Sequence, residues 1–200
     1  MTAPLGIILA GGLATRMGGG DKGLLKLGSQ TILDHVIERL SPQVDGLALN
    51  ANGDPGRFEA LGLPVLPDSI EGFAGPLAGV LAGLDWAAEA GATNIVTAAA
   101  DTPFFPADLV PRLQLAAETQ GKPIALARTT NGRHPTFGLW PTDLRDDLRE
   151  ALENGVRKVV QWTDRHGTAM ADFPDKPFDP FFNVNTPEDL EDAQRLMAGA

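Results

Sequence analysis

The sequence predicts a three-layer α/β fold, in which helices cover both faces of a mostly parallel sheet with one antiparallel strand. Three observations predict it. Apolar runs, such as residues 5–10 and 95–100, are typical of strands buried on both faces. These runs alternate with segments whose apolar residues recur at helical spacing. Late in the chain, two extended runs flank Asn131-Gly132, a dipeptide typical of hairpin turns.

The first half of the chain alternates strands with helices. A helix is predicted over residues 31–40, because Thr31 and Asp34 can cap its start and its apolar residues share one face. A second helix, over residues 76–90, has Pro76 in its first turn, where proline is favoured. The predicted strands of this half are residues 5–10, 46–50, 64–66 and 94–100.

The second half continues the alternation with one reversal. Residues 135–140 follow the Asn-Gly turn and are the predicted antiparallel strand. The other predicted helices cover residues 106–120, 143–153 and 157–164, and a last helix starts at Thr186-Pro187. The other predicted strands cover residues 123–128 and 168–172, and the second of these is predicted at a sheet edge. Sheets of this kind need right-handed crossovers and bind ligands beyond the carboxyl ends of their strands.

Composition narrows the class of protein. The 200 residues are expected to form one domain, and no apolar run approaches the roughly 20 residues that a membrane span requires. The first residues lack the basic segment of a secretion signal, so a cytoplasmic protein is expected. The chain has no cysteine and three histidines, which excludes disulfides and cysteine-based metal sites and argues against a histidine-rich one.

The net charge of −10 argues against nucleic acid as a partner, because binding a phosphate backbone requires a basic face. The charge is unevenly distributed. Residues 1–30 hold three basic residues against one acid, whereas residues 167–200 hold two basic residues against seven acids. A small basic region in an acidic chain favours a small anionic ligand.

The most informative segment is the glycine-rich loop of residues 11–23, which follows the first predicted strand. Its six glycines permit positive φ angles and close backbone approach, so several N–H groups can converge on one group of oxygens. Arg16 can bind a phosphate with its planar guanidinium, and Lys22 adds a compact positive charge. The loop therefore predicts a polyphosphate-binding site.

Other interpretations of this loop are weaker. Its second half, from Gly18 to Gly23, fits the G-x-G-x-x-G pattern of dinucleotide-binding proteins. That pattern, however, starts eight residues after Ala10 and leads into an extended segment rather than a helix. The Walker pattern is absent, because no Gly-Lys pair precedes Ser or Thr. A loop without a ligand is the remaining alternative, but two basic residues among glycines suit phosphate better than packing.

Motifs over nearly the whole chain carry a family resemblance. The loop reads Leu-Ala-Gly-Gly-x3-Arg-Met-Gly-Gly-x-Asp-Lys-Gly from Leu9 onward. The later motifs, in order, are Leu49-Asn50-Ala51-Asn52, Pro67-Asp68-Ser69, Gly75-Pro76-Leu77-Ala78-Gly79, Ala100-Asp101-Thr102-Pro103-Phe104, His134-Pro135-Thr136-Phe137 and Phe182-Asn183-Val184-Asn185-Thr186-Pro187. Together they resemble the molybdenum cofactor guanylyltransferases, nucleotidyltransferases of the sugar-nucleotide-pyrophosphorylase type. The Ala-Gly-Gly and Asp-Lys-Gly segments favour this branch over the related cytidylyltransferases.

The resemblance implies a Rossmann-like fold of the nucleotide-diphospho-sugar transferase type. It implies transfer of GMP from GTP to the terminal phosphate of the molybdenum–molybdopterin cofactor, with release of pyrophosphate. Mg²⁺ is the expected cofactor, because the reaction joins two anions and a divalent cation bridges phosphates. The N-terminal part of the domain would bind GTP and the C-terminal part the acceptor. Transient contact with proteins that deliver or receive the acceptor is also expected.

The resemblance further assigns roles to individual residues. The implied catalytic residues are Arg16, Lys22 and Asp101, and Asp101 is also the implied metal ligand. The implied nucleotide-binding residues are Leu9, Ala10, Gly11, Gly12, Lys22, Asn50, Asp68 and Asp101. The implied acceptor-binding residues are Asn183, Asn185 and His134.

The residues themselves support some of these roles and leave others open. Asp101 directly follows a predicted buried strand, which places its carboxylate at the ligand-binding edge of the sheet. Asp68 can contact the base, the ribose or the metal shell, or form a turn. Asn183 and Asn185 can match the edge of a pterin or belong to the capped turn before the last helix. The aromatic residues of 176–182 can line a site or pack in the core, and the core is favoured.

The sequence leaves several functions open besides guanylyl transfer. They are CMP transfer to the same cofactor, nucleotidyl transfer to a sugar phosphate, and non-catalytic binding of the nucleotide or the cofactor.

Overall fold

The computed structural model describes residues 3–11, 21–70, 72 and 75–199. Within them the chain forms nine strands: β1 (Leu5–Leu9), β2 (Lys26–Leu27), β3 (Gln30–Thr31), β4 (Gly46–Asn50), β5 (Val65–Leu66), β6 (Asn94–Ala99), β7 (Ile124–Thr129), β8 (Gly132–Pro141) and β9 (Thr168–Asp172). Seven of them form the central sheet, in the order β5-β4-β1-β6-β8-β7-β9. β2 and β3 form a separate antiparallel hairpin.

The central sheet is mostly parallel, as predicted. β1 pairs in parallel with β4 and β6, β4 with β5, and β7 with β9. β8 is antiparallel to both of its neighbours, β6 and β7, and it follows a turn at residues 130–131. Its first residue, Gly132, has a φ of 127°. The predicted antiparallel strand and the predicted edge strand β9 are therefore confirmed.

Helices cover both faces of this sheet. Their bounds are α1 (Ile32–Leu40), α2 (Pro76–Glu89), α3 (Leu109–Gln120), α4 (Arg145–Glu153), α5 (Val159–His166) and α6 (Pro187–Ala198). Short 3-10 helices occupy Lys22–Leu24, Ser41–Gln43, Pro55–Leu61 and Thr142–Leu144. None of the helices in the described ranges combines the length and apolar character needed to cross a membrane.

Local sequence explains where several helices begin. Thr31 and Asp34 form the predicted capping box of α1, and Thr186 with Asp189 forms the same arrangement at α6. The predicted start of the third helix, near residue 106, was three residues early. Residues 106–108 form a turn instead, in which the Leu109 N–H donates to Pro106 O at 3.1 Å.

The core lies in two layers, one on each face of the sheet. Alternate residues of β1 show this directly, because Ile8 packs with α1 and α3 while Ile7 packs with α2, and both are fully buried. A third, smaller cluster joins the β2–β3 hairpin to α6 through Leu27, Ile32, Val184 and Ala193. This cluster holds the C-terminal segment beside the end of the glycine-rich loop.

Candidate active site

The carboxyl ends of four parallel strands meet at one edge of the sheet. Leu9, which ends β1, is in register with Asn50 at the end of β4 and with Ala99 at the end of β6. Asn50 is in turn in register with Leu66, which ends β5. The ladder continues past the strands, since the Ala10 N–H donates to Asn50 O at 2.9 Å. The segments predicted to contact the nucleotide therefore leave the sheet side by side.

The structure describes both ends of the glycine-rich loop. β1 leads through Ala10 to Gly11, and the chain is described again from Asp21. Gly12 and Arg16 lie outside the described residues, so their predicted roles stay predictions.

Lys22, at the far end of the loop, reaches the C-terminal part of the chain. Its ammonium donates a hydrogen bond to Oδ1 of Asn185 at 2.8 Å. Lys22 begins a 3-10 helix, and the neighbouring Gly23 is buried, so that a Cβ there would lie 3.3 Å from Cβ of Leu33 and 3.5 Å from the carbonyl oxygen of Ala100. A residue predicted to contact GTP thus touches one predicted to contact the acceptor.

Asp101 follows β6 and lies half-buried at the same edge. Burial raises the pKa of Asp101 above its ordinary value, while the hydroxyl of Thr102 and the charge of Lys22 act to lower it. Its carbonyl accepts the N–H of Val184 at 2.8 Å, which ties it to the Asn-Val-Asn segment. The site therefore contains a poorly solvated carboxylate close to an ammonium group.

Thr102 connects this carboxylate to Asn183. Its fully buried hydroxyl lies 2.6 Å from Oδ1 of Asn183 and 3.2 Å from Oδ1 of Asp101. A hydroxyl has one hydrogen to donate, so the two oxygens share it, with the shorter contact to Asn183. The Asn-Val-Asn segment is also the capped turn that the sequence allowed, since Asp189 accepts the N–H groups of Asn185 and Thr186 at 2.9 Å.

The carboxylate of Asp68 is bound by two asparagines, Asn50 at the end of β4 and Asn52 two residues later. Nδ2 of Asn50 donates to one of its oxygens at 3.0 Å and Nδ2 of Asn52 to the other at 2.8 Å. Oδ1 of Asn52 accepts the Asp68 backbone N–H at 2.9 Å. Asn50 is buried and also donates to Leu66 O at 3.1 Å. The Asp68 carboxylate is thus fixed in orientation, and each oxygen keeps a further lone pair for a ligand.

Helix α2 packs tightly against this group, which accounts for one of its glycines. A Cβ at Gly79 would lie 2.2 Å from Oδ1 of Asn50 and 2.8 Å from Cδ2 of Leu9. The helix begins at Pro76 after Gly75, whose φ of 147° favours glycine. The start of α2 is therefore packed closely against the ends of β1 and β4.

His134 lies on β8 and packs against Phe181. The two rings are stacked, with centroids 4.4 Å apart and an interplanar angle of 19°. Nε2 of His134 lies 2.9 Å from Oγ1 of Thr129. Burial lowers the pKa of His134, against the opposing charge of Asp179, which favours the neutral ring. The structure places His134 in a packed position, and its predicted contact with the acceptor stays a prediction.

The aromatic residues of 176–182 belong mainly to the packing, as favoured by the sequence. Phe181 is buried in the main core cluster between Phe137 and Phe173. Phe178 contacts Phe104 edge to face at 5.7 Å, and Phe182 packs against the smaller cluster beside α6.

The donor set at the site limits how a metal ion would be held. Within the described ranges no three His, Asp or Glu side chains converge as a metal-binding group. Asp101 offers a carboxylate just beyond the end of β6, beside β1. Mg²⁺ is commonly held by one or two carboxylates together with phosphate oxygens and water, so this donor set fits a metal carried in part by the nucleotide. A nearby cation would also stabilise the charged form of this buried carboxylate.

Three residues at the site were not assigned from the sequence. Thr102 and Asn52 lie in the same motifs as Asp101 and Asn50, which were assigned roles. Their position in these motifs could have identified them as site residues. Arg57 binds Asp21, which precedes Lys22, with Nε 2.6 Å from the carboxylate. Nothing local in the sequence indicates this contact, because it joins residues 36 positions apart.

Comparison with known proteins identifies the family of this chain. Residues 6–168 match the family described as MobA-like NTP transferase domain. The chain is 54% identical over 200 residues to the molybdenum cofactor guanylyltransferase of Bradyrhizobium sp. (strain ORS 278), covering 98% of this chain and 94% of that protein. It is 53% identical to the protein of the same name from Mesorhizobium japonicum, covering 96% and 95% of the two chains.

Solved structures share the fold at lower sequence identity. The molybdopterin-guanine dinucleotide biosynthesis protein A of Archaeoglobus fulgidus superposes with a TM-score of 0.76 at 24% identity, covering 98% of this chain and all of that one. A CMP:2-keto-3-deoxy-manno-octonic acid synthetase superposes with a TM-score of 0.71 at 15% identity, over 100% and 99% of the chains. Because the family model covers most of the chain and the Bradyrhizobium and Mesorhizobium relatives match it over nearly their full length, this chain belongs to the molybdenum cofactor guanylyltransferase family of nucleotidyltransferases.

Proposed function

We propose that this protein transfers GMP from GTP to the terminal phosphate of the molybdenum–molybdopterin cofactor and releases pyrophosphate. The observation that carries the proposal is the 2.8 Å contact between Lys22 and Asn185 at the edge where Asp101 and Asp68 also lie. It brings residues matching the nucleotide side of the family beside those matching the acceptor side. The names of the 54% and 53% identical relatives support the same reaction.

The reaction is a displacement at the α-phosphorus of GTP. An oxygen of the acceptor phosphate forms a new bond to this phosphorus, and the bond to the β-phosphate oxygen breaks, so that pyrophosphate leaves. Both reactants are anions, so the chief obstacles are charge repulsion and alignment. We assign Lys22, whose ammonium lies beside Asn185 at the sheet edge, to neutralising phosphate charge, and Arg16 to the same task.

We assign Asp101 as the protein's ligand to Mg²⁺. When bound, the metal would neutralise phosphate charge and help align the reacting groups. Asp101 is suited to hold it because its carboxylate is half-buried at the end of β6 and is oriented by Thr102.

No protein side chain is needed as a general base in this proposal. The attacking phosphate oxygen is already ionised near neutral pH, so no proton has to be removed from it. Burial lowers the pKa of His134, which favours its neutral form, and the ring bonds to Thr129, which suits a packing or binding role. We assign it, with Asn183 and Asn185, to the acceptor side.

We assign Asp68 and Asn50 to the nucleoside part of GTP. Both oxygens of Asp68 are oriented by asparagine amides, so the carboxylate is a fixed acceptor for N–H or O–H donors. Guanine offers adjacent N1–H and N2–H₂ donors, and ribose offers hydroxyls. The backbone of Leu9, Ala10, Gly11 and Gly12 would face the phosphates beside them. The protein is proposed to act in the cytoplasm as one domain, in transient contact with proteins that deliver or receive the cofactor.

The proposal is tested by nucleotide selectivity and product release. Thermal shift with GTP, CTP, UTP and ATP, each with Mg²⁺, is expected to give the largest stabilisation with GTP. Pyrophosphate release is expected only when GTP, Mg²⁺ and the molybdenum–molybdopterin cofactor are all present. Preferential stabilisation by CTP would replace GMP by CMP in the proposal, and nucleotide binding without pyrophosphate release would reject catalysis.

A further inference from the structure

Arg57 joins the end of the glycine-rich loop to the segment after β4. Its Nε donates to Oδ2 of Asp21 at 2.6 Å. Its Nη1 donates to the carbonyl of Asp54 at 2.7 Å and its Nη2 to that of Asn52 at 2.6 Å. The guanidinium carbon also lies 4.6 Å from the centroid of the Phe58 ring. Three nitrogens of one planar group therefore bind three acceptors, which fixes both its position and its plane.

The backbone beneath Arg57 is held in place as well. Arg57 lies in the 3-10 helix Pro55–Leu61, whose start is capped by Asp54 through a 2.9 Å hydrogen bond from the Gly56 N–H. The next residue, Phe58, is 1% exposed and packs in the main core. Arg57 is thus anchored to the body of the protein.

The side chain of Asp21 does not cap the 3-10 helix that follows it, although its position would predict this. Asp21 occupies the N-cap of the 3-10 helix Lys22–Leu24, yet its side chain makes no capping hydrogen bond. The carboxylate binds Arg57 instead. The backbone that carries Lys22 is therefore placed by a residue 36 positions away.

We propose that Arg57 is a positioning residue for Lys22, acting through Asp21 to set where the Lys22 ammonium meets the phosphates of GTP. The inference rests on the proposed function of this site and extends it to a residue outside the motifs. Lysine has a long flexible side chain, so fixing its backbone lowers the conformational entropy lost when its ammonium binds an anion.

The exposure of the Arg57 and Asp21 side chains determines whether breaking their ion pair changes global stability or nucleotide affinity. The Arg57 and Asp21 side chains are 31% and 22% exposed, so their ion pair contributes little to global stability. The effect of breaking it is expected in nucleotide affinity, and the melting temperature of the nucleotide-free protein is expected to stay nearly unchanged.

The test compares Arg57→Gln, Asp21→Asn and the double variant by calorimetric titration with GTP and Mg²⁺. Each single change is expected to raise the Kd for GTP roughly three- to tenfold, and the double variant to be no worse than either. In a Lys22→Ala background, Arg57→Gln is expected to have no further effect. The proposal would be overturned if the losses of GTP affinity in the two single variants added up in the double variant. It would also be overturned if Arg57→Gln raised the Kd equally in the Lys22→Ala background.

Two further variants make the result specific. Arg57→Lys keeps the charge but cannot make the three-point contact, so the same loss is expected, and full affinity in this variant would overturn the proposal. Arg128→Gln is the matched control. Nε of Arg128 also lies 2.6 Å from a carboxylate oxygen, that of Asp172. This pair joins β7 to β9, away from the ends of β1 and β4. Arg128→Gln is expected to leave the Kd unchanged.

Measurements on the wild-type protein distinguish failure of the proposed function from failure of the proposed role of Arg57. If it does not bind GTP, the proposed function and this inference are both wrong. If it binds GTP and releases pyrophosphate with the acceptor, while Arg57→Gln has the wild-type Kd, only the role of Arg57 is wrong.

Discussion

The ammonium of Lys22 donates a hydrogen bond to Oδ1 of Asn185 at 2.8 Å, although 163 residues separate them in the chain. The contact joins the end of the glycine-rich loop to the turn before α6. It exists because the small apolar cluster of Leu27, Ile32, Val184 and Ala193 packs these two segments together. The nucleotide and acceptor sides of the proposed site are therefore adjacent in the folded chain, as direct transfer between two bound substrates requires.

Replacing Lys22 by alanine is expected to remove most of the activity and leave the fold intact. Its charge is expected to stabilise the transition state more than the ground state, so kcat/KM should fall by about a hundredfold or more. Pyrophosphate release measures this loss, and circular dichroism melting measures the fold. A variant that unfolds at wild-type working temperature would show that Lys22 has a structural role.

Lys26→Ala is the control for that experiment. Lys26 is exposed nearby on β2, and its ammonium lies 3.5 Å from the carbonyl of Ser29. Its loss removes the same charge from the same part of the chain, so activity close to wild type is expected. A comparable loss in both variants would mean that general charge, rather than placement at the site, matters.

The sequence predicted the sheet edge that carries the candidate site, because that edge is set by where the strands end. β4 has the predicted bounds, and the predicted carboxyl ends of β1 and β6 lie within one residue of those observed. The predicted cap at Thr31 and the cap observed at Thr186 both depend on residues three apart. Local patterns of this kind are fully contained in the sequence.

Long-range contacts were not predictable in the same way. The β2–β3 hairpin has strands of two residues each, too short to show a periodic pattern. The contact of Arg57 with Asp21 depends on how the segment after β4 folds back over the sheet edge. The shared hydroxyl of Thr102 likewise requires the turn at Asn183, which comes 81 residues later.

Thr102→Val is expected to weaken both the fold and acceptor binding. Valine has nearly the same shape but lacks the hydroxyl, so Asn183 loses its 2.6 Å donor and Asp101 its 3.2 Å one. The free energy of unfolding, measured in urea, should fall by about 1–2 kcal/mol, and the KM for the acceptor should rise. Thr102→Ser keeps the hydroxyl and should preserve the KM, so an equal rise in both variants would contradict this explanation.

Asp101→Asn is expected to abolish the response to Mg²⁺ and to change how stability depends on pH. Burial raises the pKa of Asp101, so its protonated form is favoured in the fold. The resulting stabilisation is present at acid pH and is lost as the pH rises through the raised pKa. Without nucleotide, Asp101→Asn should therefore gain stability relative to wild type as the pH rises toward 7. Urea unfolding at several pH values measures this, and a pH-independent difference would contradict it.

Gly79→Ala and Gly83→Ala are expected to separate packing of α2 from orientation of the nucleotide site. A Cβ at Gly83 would lie 2.6 Å from Cγ1 of Ile7, so this change should destabilise the fold by roughly 1–3 kcal/mol. A Cβ at Gly79 would lie 2.2 Å from Oδ1 of Asn50 and would force that side chain to move. Asn50 would then lose its 3.0 Å hydrogen bond to Asp68.

Both glycine variants should therefore melt at lower temperature, but they should differ in nucleotide binding. At a temperature where each variant is folded, Gly79→Ala should bind GTP more weakly than wild type, because the Asp68 carboxylate has lost one of its two fixed donors. Gly83→Ala should retain wild-type affinity, since its clash lies against Ile7 and Ile95 in the core. Titration calorimetry with GTP and Mg²⁺ decides between these outcomes. Equal affinity in the two variants would mean that Asn50 does not orient Asp68 for the nucleotide.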